Sequence, residues 1–499
     1  MPKRALSIDL AHVTLDKASV QPLHRQLYAA LRREILQRTL LPGTRLPSTR
    51  DLSRSLAISR NTVVAAFEQL IAEGYLESRV GDGCYVSSAV AESISFSQLD
   101  MPLQSQPTTP PAAGLSTRGL EILHMPANTN SDNGTARPFR IGGPGIDEFP
   151  GQLWTRLTAQ HWRKSSKLLL GYGSSPGYAP LRQAISAYLG ASRGVQCGSE
   201  QVIITSGAQG ALQMIALLLL NPGDIVWTEN PGYRGARAAL LAAGAQLLPI
   251  PVDSQGLDLE TGMQLCPTAR MVYVTPSHQY PMGVTMSLAR RLALIDWARR
   301  AGAWIIEDDY DSEFRYQGRP LASLQGLDGG KCVVYIGTFS KILFPALRLG
   351  YMVIPEGLVD QFRAVLGSLN HHLPGIEQAV LTDFLTEGHL LRHIRHMRQL
   401  YAERQQMLIE MIQSTLGSDL QIYAAEAGLH VTGLLPANLD DQAVSTEALR
   451  LGIEAPALSS YSLCPLSQGG LVLGYAGLSG AQIRAGVFAL GEAIRRSRP

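Results

Sequence analysis

Apolar residues near the start of the chain recur at helical spacing and predict a small domain. Leu23, Leu27, Leu31 and Ile35 share one face of a helix that ends before Leu41. The pattern then predicts a helix opening at Pro47-Ser48, a third helix over residues 60–73 and two short strands within residues 75–86. Three helices and a hairpin form a winged helix-turn-helix, so we predict an N-terminal domain of this kind over residues 1–87.

From residue 137 onward, short β-rich runs alternate with helical segments. Six of these runs are apolar on both faces, as in strands buried on both sides of a sheet: 201–205, 224–228, 270–275, 303–307, 332–336 and 349–354. Strands separated by helices form mostly parallel sheets with helices on each face. Residues 137–499 are therefore predicted to form an α/β domain.

The segment between the two domains loses this periodicity. Residues 88–136 are rich in Pro, Ser, Thr, Asn and Gln, and contain only a short apolar piece at Leu120-Glu-Ile-Leu123. We predict a flexible linker, which would let the small domain take several positions relative to the large one.

Composition adds information through its distribution along the chain. The 499 residues carry a net charge of +2, but residues 1–90 hold 12 Lys and Arg against 8 Asp and Glu, which favours an anionic partner for the first domain. The five cysteines form no Cys-x-x-Cys pair, so we predict no metal site. The apolar run 215–220 is too short for a membrane span, and the chain start lacks the apolar run of a signal peptide. We therefore expect a cytoplasmic protein without membrane contact.

The third predicted helix begins with side chains suited to reading DNA. In a helix-turn-helix this helix enters the major groove, where its first residues meet base edges and phosphates. Arg60 can form two hydrogen bonds with guanine and Asn61 can pair with adenine, while Ser59 and Thr62 can reach phosphates. Ser and Asn are also common helix caps. Together with the basic domain, these residues favour operator double-stranded DNA as a partner.

Two further positions support DNA contact. Ser48 and Arg50 place donors at the start of the preceding helix, and Gly81 would let the hairpin tip approach the duplex. The segments 22–27, 41–52 and 59–63 resemble the GntR-type winged helix. That resemblance covers about residues 20–86 and implies contacts with operator DNA from these residues: Arg50, Arg60, Asn61, Thr62 and Gly81.

The sharpest chemical signal in the large domain is a lysine. Lys341 follows a predicted strand in Gly337-Thr-Phe-Ser-Lys341 and precedes Arg348. A lysine amine in such a position can form a Schiff base with an aldehyde, while Thr338, Ser340 and Arg348 can bind a neighbouring phosphate.

Two other loops follow predicted strands. Ser206-Gly-Ala-Gln-Gly210 leads into an apolar helix whose first N–H groups could cradle an anion, although a simple tight connection would look the same. Glu307-Asp-Asp-Tyr-Asp311 lies at the carboxyl end of a buried strand, where parallel sheets bind ligands. A carboxylate there can keep the nitrogen of a pyridine ring protonated. A tyrosine hydroxyl there can donate a hydrogen bond to an oxygen substituent of such a ring.

These motifs together resemble a fold-type I, class I aminotransferase-like domain over residues 137–499. The resemblance implies pyridoxal 5′-phosphate as cofactor, with Lys341 as the Schiff-base lysine, Asp308 at the pyridine nitrogen and Tyr310 at the phenolic oxygen. It implies phosphate contacts from Gly207, Ala208, Gln209, Thr338, Ser340 and Arg348, and stacking on the ring by Tyr233. Tyr172 resembles a tyrosine that reaches a neighbouring subunit's phosphate, which implies a homodimer.

A winged helix joined by a long linker to such a domain resembles the MocR/GabR family of bacterial transcriptional regulators. Residues 307–316 and 278–283 are characteristic of that family. The resemblance implies a cofactor-dependent, DNA-binding regulator that senses a small amine, an amino acid or the cofactor itself. Two alternatives remain: an aminotransferase that the winged helix merely tethers, and a DNA-binding protein with an empty, structural large domain. We expect any transaminase activity to be residual.

The chain departs from working aminotransferases at two places. Tyr280 stands where they usually carry an asparagine that supports the ring oxygen, and residues 472–476 lack the arginine that often binds the substrate's carboxylate. A carboxylate needs a charge-assisted partner. If the effector carries one, Arg234, Arg237 or His430 would have to supply it.

Overall fold

The computed structural model describes residues 15–17, 19, 21–79, 82–88, 116–123, 137–164, 167–316, 321–369, 372–422 and 425–498. The chain divides into two compact units, residues 1–112 and residues 113–499. This division falls in the predicted linker, most of which lies outside the described residues. Within them, no helix has both the length and the apolar character needed to cross a bilayer.

The first unit contains the predicted helices and hairpin. Its elements are α1 (Leu23–Leu36), α2 (Thr49–Ser55), α3 (Arg60–Ala72), β1 (Leu76–Arg79) and β2 (Gly83–Val86), with β1 and β2 antiparallel. Leu27 and Leu31 of α1 pack with Val63, Phe67 and Leu70 of α3 in a buried core. This confirms the winged helix-turn-helix prediction and leaves the first residues of α3 facing solvent.

The second unit begins with a short helix from the segment between the domains, α4 (Thr117–Leu123). The helices that follow are α5 (Gly151–Arg163), α6 (Lys167–Leu170), α7 (Ala179–Arg193), α8 (Gly207–Leu219), α9 (Arg234–Ala242), α10 (Leu259–Leu265), α11 (Leu288–Ala301), α12 (Leu324–Asp328), α13 (Val359–Ser368), α14 (Gly375–Thr386), α15 (His389–Thr415), α16 (Asp441–Arg450) and α17 (Gly480–Arg496).

An eight-stranded sheet forms the centre of this unit. Its strands are β3 (Val202–Thr205), β4 (Ile225–Asn230), β5 (Gln246–Asp253), β6 (Gly256–Leu257), β7 (Met271–Val274), β8 (Trp304–Asp309), β9 (Val333–Thr338) and β10 (Gly350–Val353), in the order β3-β10-β9-β8-β7-β4-β5-β6. The pairs from β5 through β4, β7 and β8 to β9 are parallel, which confirms the mostly parallel α/β fold. A second sheet contains β11 (Gln421–Ile422), β12 (His430–Leu434) and β13 (Gly470–Gly474).

Strand β10 pairs antiparallel with its neighbours, as β6 does with β5, and it helps to shape the site. It lies between β3 and β9 and runs opposite to both. A Cβ atom on Gly350 would lie 2.8 Å from Gly207 Cα and 2.9 Å from Gly337 O, so only glycine allows this approach. The close packing brings the start of α8 against the carboxyl end of β9.

Candidate functional site

A cavity of about 230 Å³ opens at the carboxyl ends of the central strands. Residues from several loops line it, and ten of the eleven side chains and backbone positions predicted to bind a cofactor are among them: Gly207, Ala208, Gln209, Tyr233, Asp308, Tyr310, Thr338, Ser340, Lys341 and Arg348. The fold therefore brings together residues that are more than 140 positions apart in the chain, as expected at this edge of a parallel sheet.

Asp308 is a buried carboxylate with one oxygen still available. It lies in β8 and is 4% exposed. Its Oδ2 accepts a hydrogen bond of 2.7 Å from the Tyr273 hydroxyl, whereas Oδ1 has no hydrogen-bond partner among the described residues. Burial raises the pKa of Asp308 to about 7. An unpaired buried oxygen of this kind suits an N–H donor such as a protonated pyridine nitrogen.

Lys341 faces the same cavity from the loop after β9. Its Nζ donates a hydrogen bond of 2.9 Å to the carbonyl oxygen of Gly142. A Cβ atom on Gly142 would lie only 2.4 Å from Nζ, so the glycine makes room for the amine. Burial lowers the pKa of Lys341, which increases the fraction of neutral, nucleophilic amine.

The loops beside Lys341 gather hydrogen-bond donors that form an anion cradle. Helix α8 begins at Gly207, and its first-turn N–H groups have no acceptor within the helix. The buried hydroxyl oxygen of Ser340 has no hydrogen-bond partner among the described residues. Arg348 adds a guanidinium group whose Nη2 donates to the carbonyl of Ser206 over 3.3 Å. These donors all suit a phosphate group.

Aromatic rings cover the rest of the cavity. Tyr233 caps the start of α9 and packs edge-to-face on Tyr280, with ring centroids 5.7 Å apart. The hydroxyl of Tyr310 donates to the main-chain oxygen of His278 (3.0 Å) and lies 2.9 Å from that residue's Nδ1. Its assigned contact with the ring's oxygen remains a prediction, as does stacking on Tyr233.

The structure separates the three candidates for binding an effector carboxylate. Arg234 lines the cavity, and its guanidinium carbon lies 4.7 Å from the centre of the Tyr461 ring. Arg237 is buried and donates to the main-chain oxygen of Glu229 instead. His430 lines the cavity, but burial lowers its pKa to about 3, so the ring is neutral. Arg234 alone of the three offers a cation to the cavity.

One predicted cofactor residue is not part of the cavity. Tyr172 is 85% exposed and packs beside His372, with ring centroids 5.9 Å apart. Its role was assigned toward a neighbouring subunit, so that assignment stays a prediction. Sequence reasoning did not select several residues that line the cavity: Ile141, Gly142, Tyr273, Thr275, Leu429, Glu454, Pro456 and Tyr461. They come from loops and strands without a motif of their own.

The predicted DNA-contacting residues lie at two helix starts. Ser48 and Ser59 are the N-caps of α2 and α3, where their side chains accept from the N–H groups of Asp51 and Thr62. Capping does not prevent an exposed serine from also reaching phosphate. Arg50, Arg60 and Asn61 are exposed as well, whereas Thr62 is half-buried. Gly81 lies outside the described residues.

A small cluster of side chains beside the cavity has the residue types of a metal site. Ligand atoms of His278, Asp311 and His430 lie within 4.8 Å of one another. Two of these groups are paired with each other, however, because His278 Nδ1 is 3.1 Å from Asp311 Oδ2. His430 Nε2 donates to the carbonyl of Pro281. His278 Nε2 has no hydrogen-bond partner among the described residues, and the absence of a metal site remains a prediction.

Two family descriptions match this chain. Residues 149–484 match the family "Aminotransferase class I and II", and residues 23–86 match "Bacterial regulatory proteins, gntR family". The chain is 40% identical to a probable rhizopine catabolism regulatory protein, MocR, from Rhizobium meliloti, over 97% of this chain and 96% of that protein. It is 30% identical to a pyridoxine biosynthesis transcriptional regulator, PdxR, from Corynebacterium glutamicum, over 93% and 94% of the two chains.

A solved enzyme structure shares the fold of the large unit. Kynurenine aminotransferase from Pyrococcus horikoshii, in a complex with PMP and its substrates and products, superimposes with a TM-score of 0.68 at 27% identity. The match covers 75% of this chain and 96% of the enzyme.

We expect the stability of the cofactor-free protein to fall as the pH rises from about 4 to about 7. Burial raises the pKa of Asp308 and of Glu229, Glu307 and Glu313 to about 7. An acid with a higher pKa in the folded than in the unfolded chain holds its proton more tightly when folded, so the free energy of unfolding decreases across that window. Urea unfolding at closely spaced pH values measures this decrease.

Asp308→Asn should reduce that decrease by about 2–4 kcal/mol, because it removes one of the four titrations. Asp296→Asn, a change at an exposed side chain of α11, serves as the control and should leave it unchanged. Parallel curves of unfolding free energy against pH for the wild type and Asp308→Asn would contradict the raised pKa of Asp308.

Proposed function

Because the chain belongs to the aminotransferase class I and II family and carries a DNA-binding domain of the gntR family, we propose that it is a pyridoxal-phosphate-dependent transcriptional regulator. Both relatives named above are regulators that match this chain along nearly their whole length, and the enzyme that shares the fold binds PMP. The observation that carries the proposal is that Lys341 and the half-satisfied carboxylate of Asp308 line one cavity.

The residues of the cavity fit pyridoxal phosphate. When bound, this cofactor supplies an aldehyde that joins reversibly to amines and a ring that withdraws electrons. Lys341 would hold the aldehyde, and Asp308 Oδ1 would accept the ring's N–H while Tyr273 fixes the other oxygen. The phosphate would be bound by the start of α8 and by three side chains of the neighbouring loops: Thr338, Ser340 and Arg348. Tyr172 of the partner subunit would complete the phosphate site.

We assign the effector's contact outside the cofactor to Arg234. Among the described residues that line the cavity, Arg234 is the cation that the cofactor does not require. An amine or amino acid that displaces Lys341 would place its remaining groups toward Arg234 and Tyr461. The cofactor itself is a second candidate for the sensed molecule, since its arrival would change the same residues.

Two substitutions favour sensing over turnover. Val472, at the position where aminotransferases often carry arginine, is fully buried in an apolar cluster with Leu458 and Tyr461. Tyr280, in place of the usual asparagine, packs edge-to-face on Tyr461, with ring centroids 5.5 Å apart. Because Lys341 and Asp308 both line the cavity, a tethered aminotransferase stays an alternative. Rapid turnover of an amino donor and a keto acid would favour it.

We propose that the protein acts as a cytoplasmic homodimer whose two heads bind two operator half-sites. Large apolar side chains of the second unit support a subunit interface: Trp162, Leu170 and Tyr172 are between 58% and 85% exposed. An effector that binds one arrangement of the dimer better than another would shift the spacing of the heads.

Lys341→Ala should abolish both the absorption of the bound cofactor's Schiff base and the response of operator binding to amines. The amine is the group that joins the aldehyde, so no other side chain can substitute for it. Absorption spectra and electrophoretic mobility shifts measure the two effects. Lys331→Ala, at an exposed lysine before β9, is the control and should retain both. A Lys341→Ala protein that keeps the Schiff-base absorption would refute the proposal.

Arg234→Gln should remove discrimination in favour of ligands that carry a carboxylate. Aminooxyacetate and methoxyamine both react with the bound aldehyde, but only the first carries a carboxylate. A charge-assisted hydrogen bond contributes about 1.5–3 kcal/mol, so the ratio of their rate constants should fall roughly 10–100-fold in the variant. Stopped-flow absorption measures both reactions, and Arg300→Gln, at an exposed arginine, is the control. An unchanged ratio would exclude Arg234 from this role.

Arg60→Ala should cost about 1–3 kcal/mol of operator affinity at one base pair, because two hydrogen bonds to guanine would be lost. Fluorescence anisotropy with a set of single-base operator variants locates that base pair. Arg54→Ala, at an exposed arginine of α2 beside Asp51, is the control. Equal weakening on every sequence would show that Arg60 contacts phosphate rather than a base.

A further inference from the structure

The segment between the two units is attached to the large unit by helix α4. This helix packs against α9, and Arg118 Nη1 donates a hydrogen bond of 3.3 Å to the carbonyl oxygen of Ala242, the last residue of α9. At the start of α4, the N–H of Gly119 donates to Ser116 Oγ over 3.1 Å. The chain that leads back to the DNA-binding domain therefore leaves the large unit at α4, where α4 packs on α9.

The opposite end of α9 forms part of the cavity wall. Tyr233 is its N-cap and Arg234 its first residue, and both line the cavity. Gln209 Nε2 donates a hydrogen bond of 2.9 Å to the carbonyl of Gly235, which connects the first turn of α9 to the anion cradle. A helix of nine residues is about 13 Å long and moves as one body. A displacement at Arg234 is therefore transmitted to Ala242.

The attachment of α4 is weak enough to be reversible. Leu120, Ile122 and Leu123 remain 45%, 36% and 66% exposed, so the helix buries little apolar surface on α9. A helix of seven residues is also too short to be stable by itself in water. Elements of this kind open at low free-energy cost, and a ligand can shift their equilibrium.

We propose that α4 is a latch that closes on α9 in the effector-free protein and opens when an effector binds at Arg234. The inference rests on the proposed function, since it takes Arg234 as the effector contact. An effector that draws Arg234 toward the cavity would shift α9 together with the carbonyl of Ala242, the acceptor of Arg118, and so favour the released state.

Release of α4 lengthens the tether of the DNA-binding domain. With α4 docked, residues 89–115 separate it from the head, and these 27 residues span at most about 95 Å. With α4 released, the 48 residues 89–136 separate the two domains along the chain, and a chain of that length spans at most about 170 Å. A longer tether lowers the effective concentration of the second head at its half-site.

Hydrogen–deuterium exchange on the full-length, cofactor-loaded protein tests the latch. Aminooxyacetate is the probe, because it forms a C=N bond to the bound aldehyde, expels the Lys341 amine and presents a carboxylate to Arg234. Methoxyamine forms the same bond without the carboxylate. We expect aminooxyacetate to speed exchange of the amides of residues 117–123 at least fivefold and methoxyamine to change it less than twofold.

Arg118→Ala should open the latch without a ligand. Exchange in residues 117–123 and operator affinity should then match those of the wild type with aminooxyacetate bound. Arg163→Ala removes an arginine that also donates to a main-chain oxygen, but within its own helix, and should behave as the wild type.

The two levels of the proposal fail separately. If aminooxyacetate changes the cofactor's absorption while exchange in residues 117–123 stays constant, the latch is wrong and the sensing function stands. If no change in absorption occurs with either compound, both are wrong. An Arg118→Ala protein with wild-type exchange and wild-type operator response would likewise overturn the latch.

Discussion

The buried carboxylate of Asp308 is the constraint on which the site depends. Three acidic residues follow one another at the end of β8, and the alternation of a strand sends them to different partners. Glu307 accepts the N–H groups of Leu324 and Gln325, and Asp309 pairs with Arg193 at 2.6 Å. Only Asp308 faces the cavity, where Tyr273 satisfies one oxygen and leaves the other for a ligand. The free energy lost by burying the unpaired oxygen of Asp308 is recovered when a cationic ring nitrogen donates to it.

The regular elements and the motif-bearing loops could be predicted from the sequence, because both depend on local patterns. The strand leading to Lys341 and the helices of the head follow from hydrophobic periodicity. Tyr273, Gly142 and Tyr461 could not be predicted, since they reach the cavity only through packing between distant segments. The antiparallel direction of β10 also depends on long-range packing, and so does the attachment of α4. Tyr172 shows a further boundary, because its assigned contact involves a second chain.

The far side of the cavity carries a predicted departure from a working aminotransferase. At the position in β13 where the resemblance implies a carboxylate-binding arginine, this chain places Val472 among apolar neighbours. The remaining cation comes from α9, and its ring contact with Tyr461 connects that helix to the loop before β13. If Arg234 binds the effector as proposed, recognition lies at the first residue of a helix rather than on a strand that is paired with a neighbour. A helix can shift against its neighbours by an ångström or two, whereas a paired strand resists such movement.

Gly142 shows how the fold isolates its lysine from the connecting segment. Its carbonyl oxygen holds the Lys341 amine, and it lies six residues after the end of the segment that leads to the head. Between the two, the main-chain oxygens of Pro138 and Phe139 accept hydrogen bonds from Glu454 and Gly474, and the Phe139 ring is buried in the core. A pull on the segment would therefore be resisted by these anchors before it reached the lysine's acceptor.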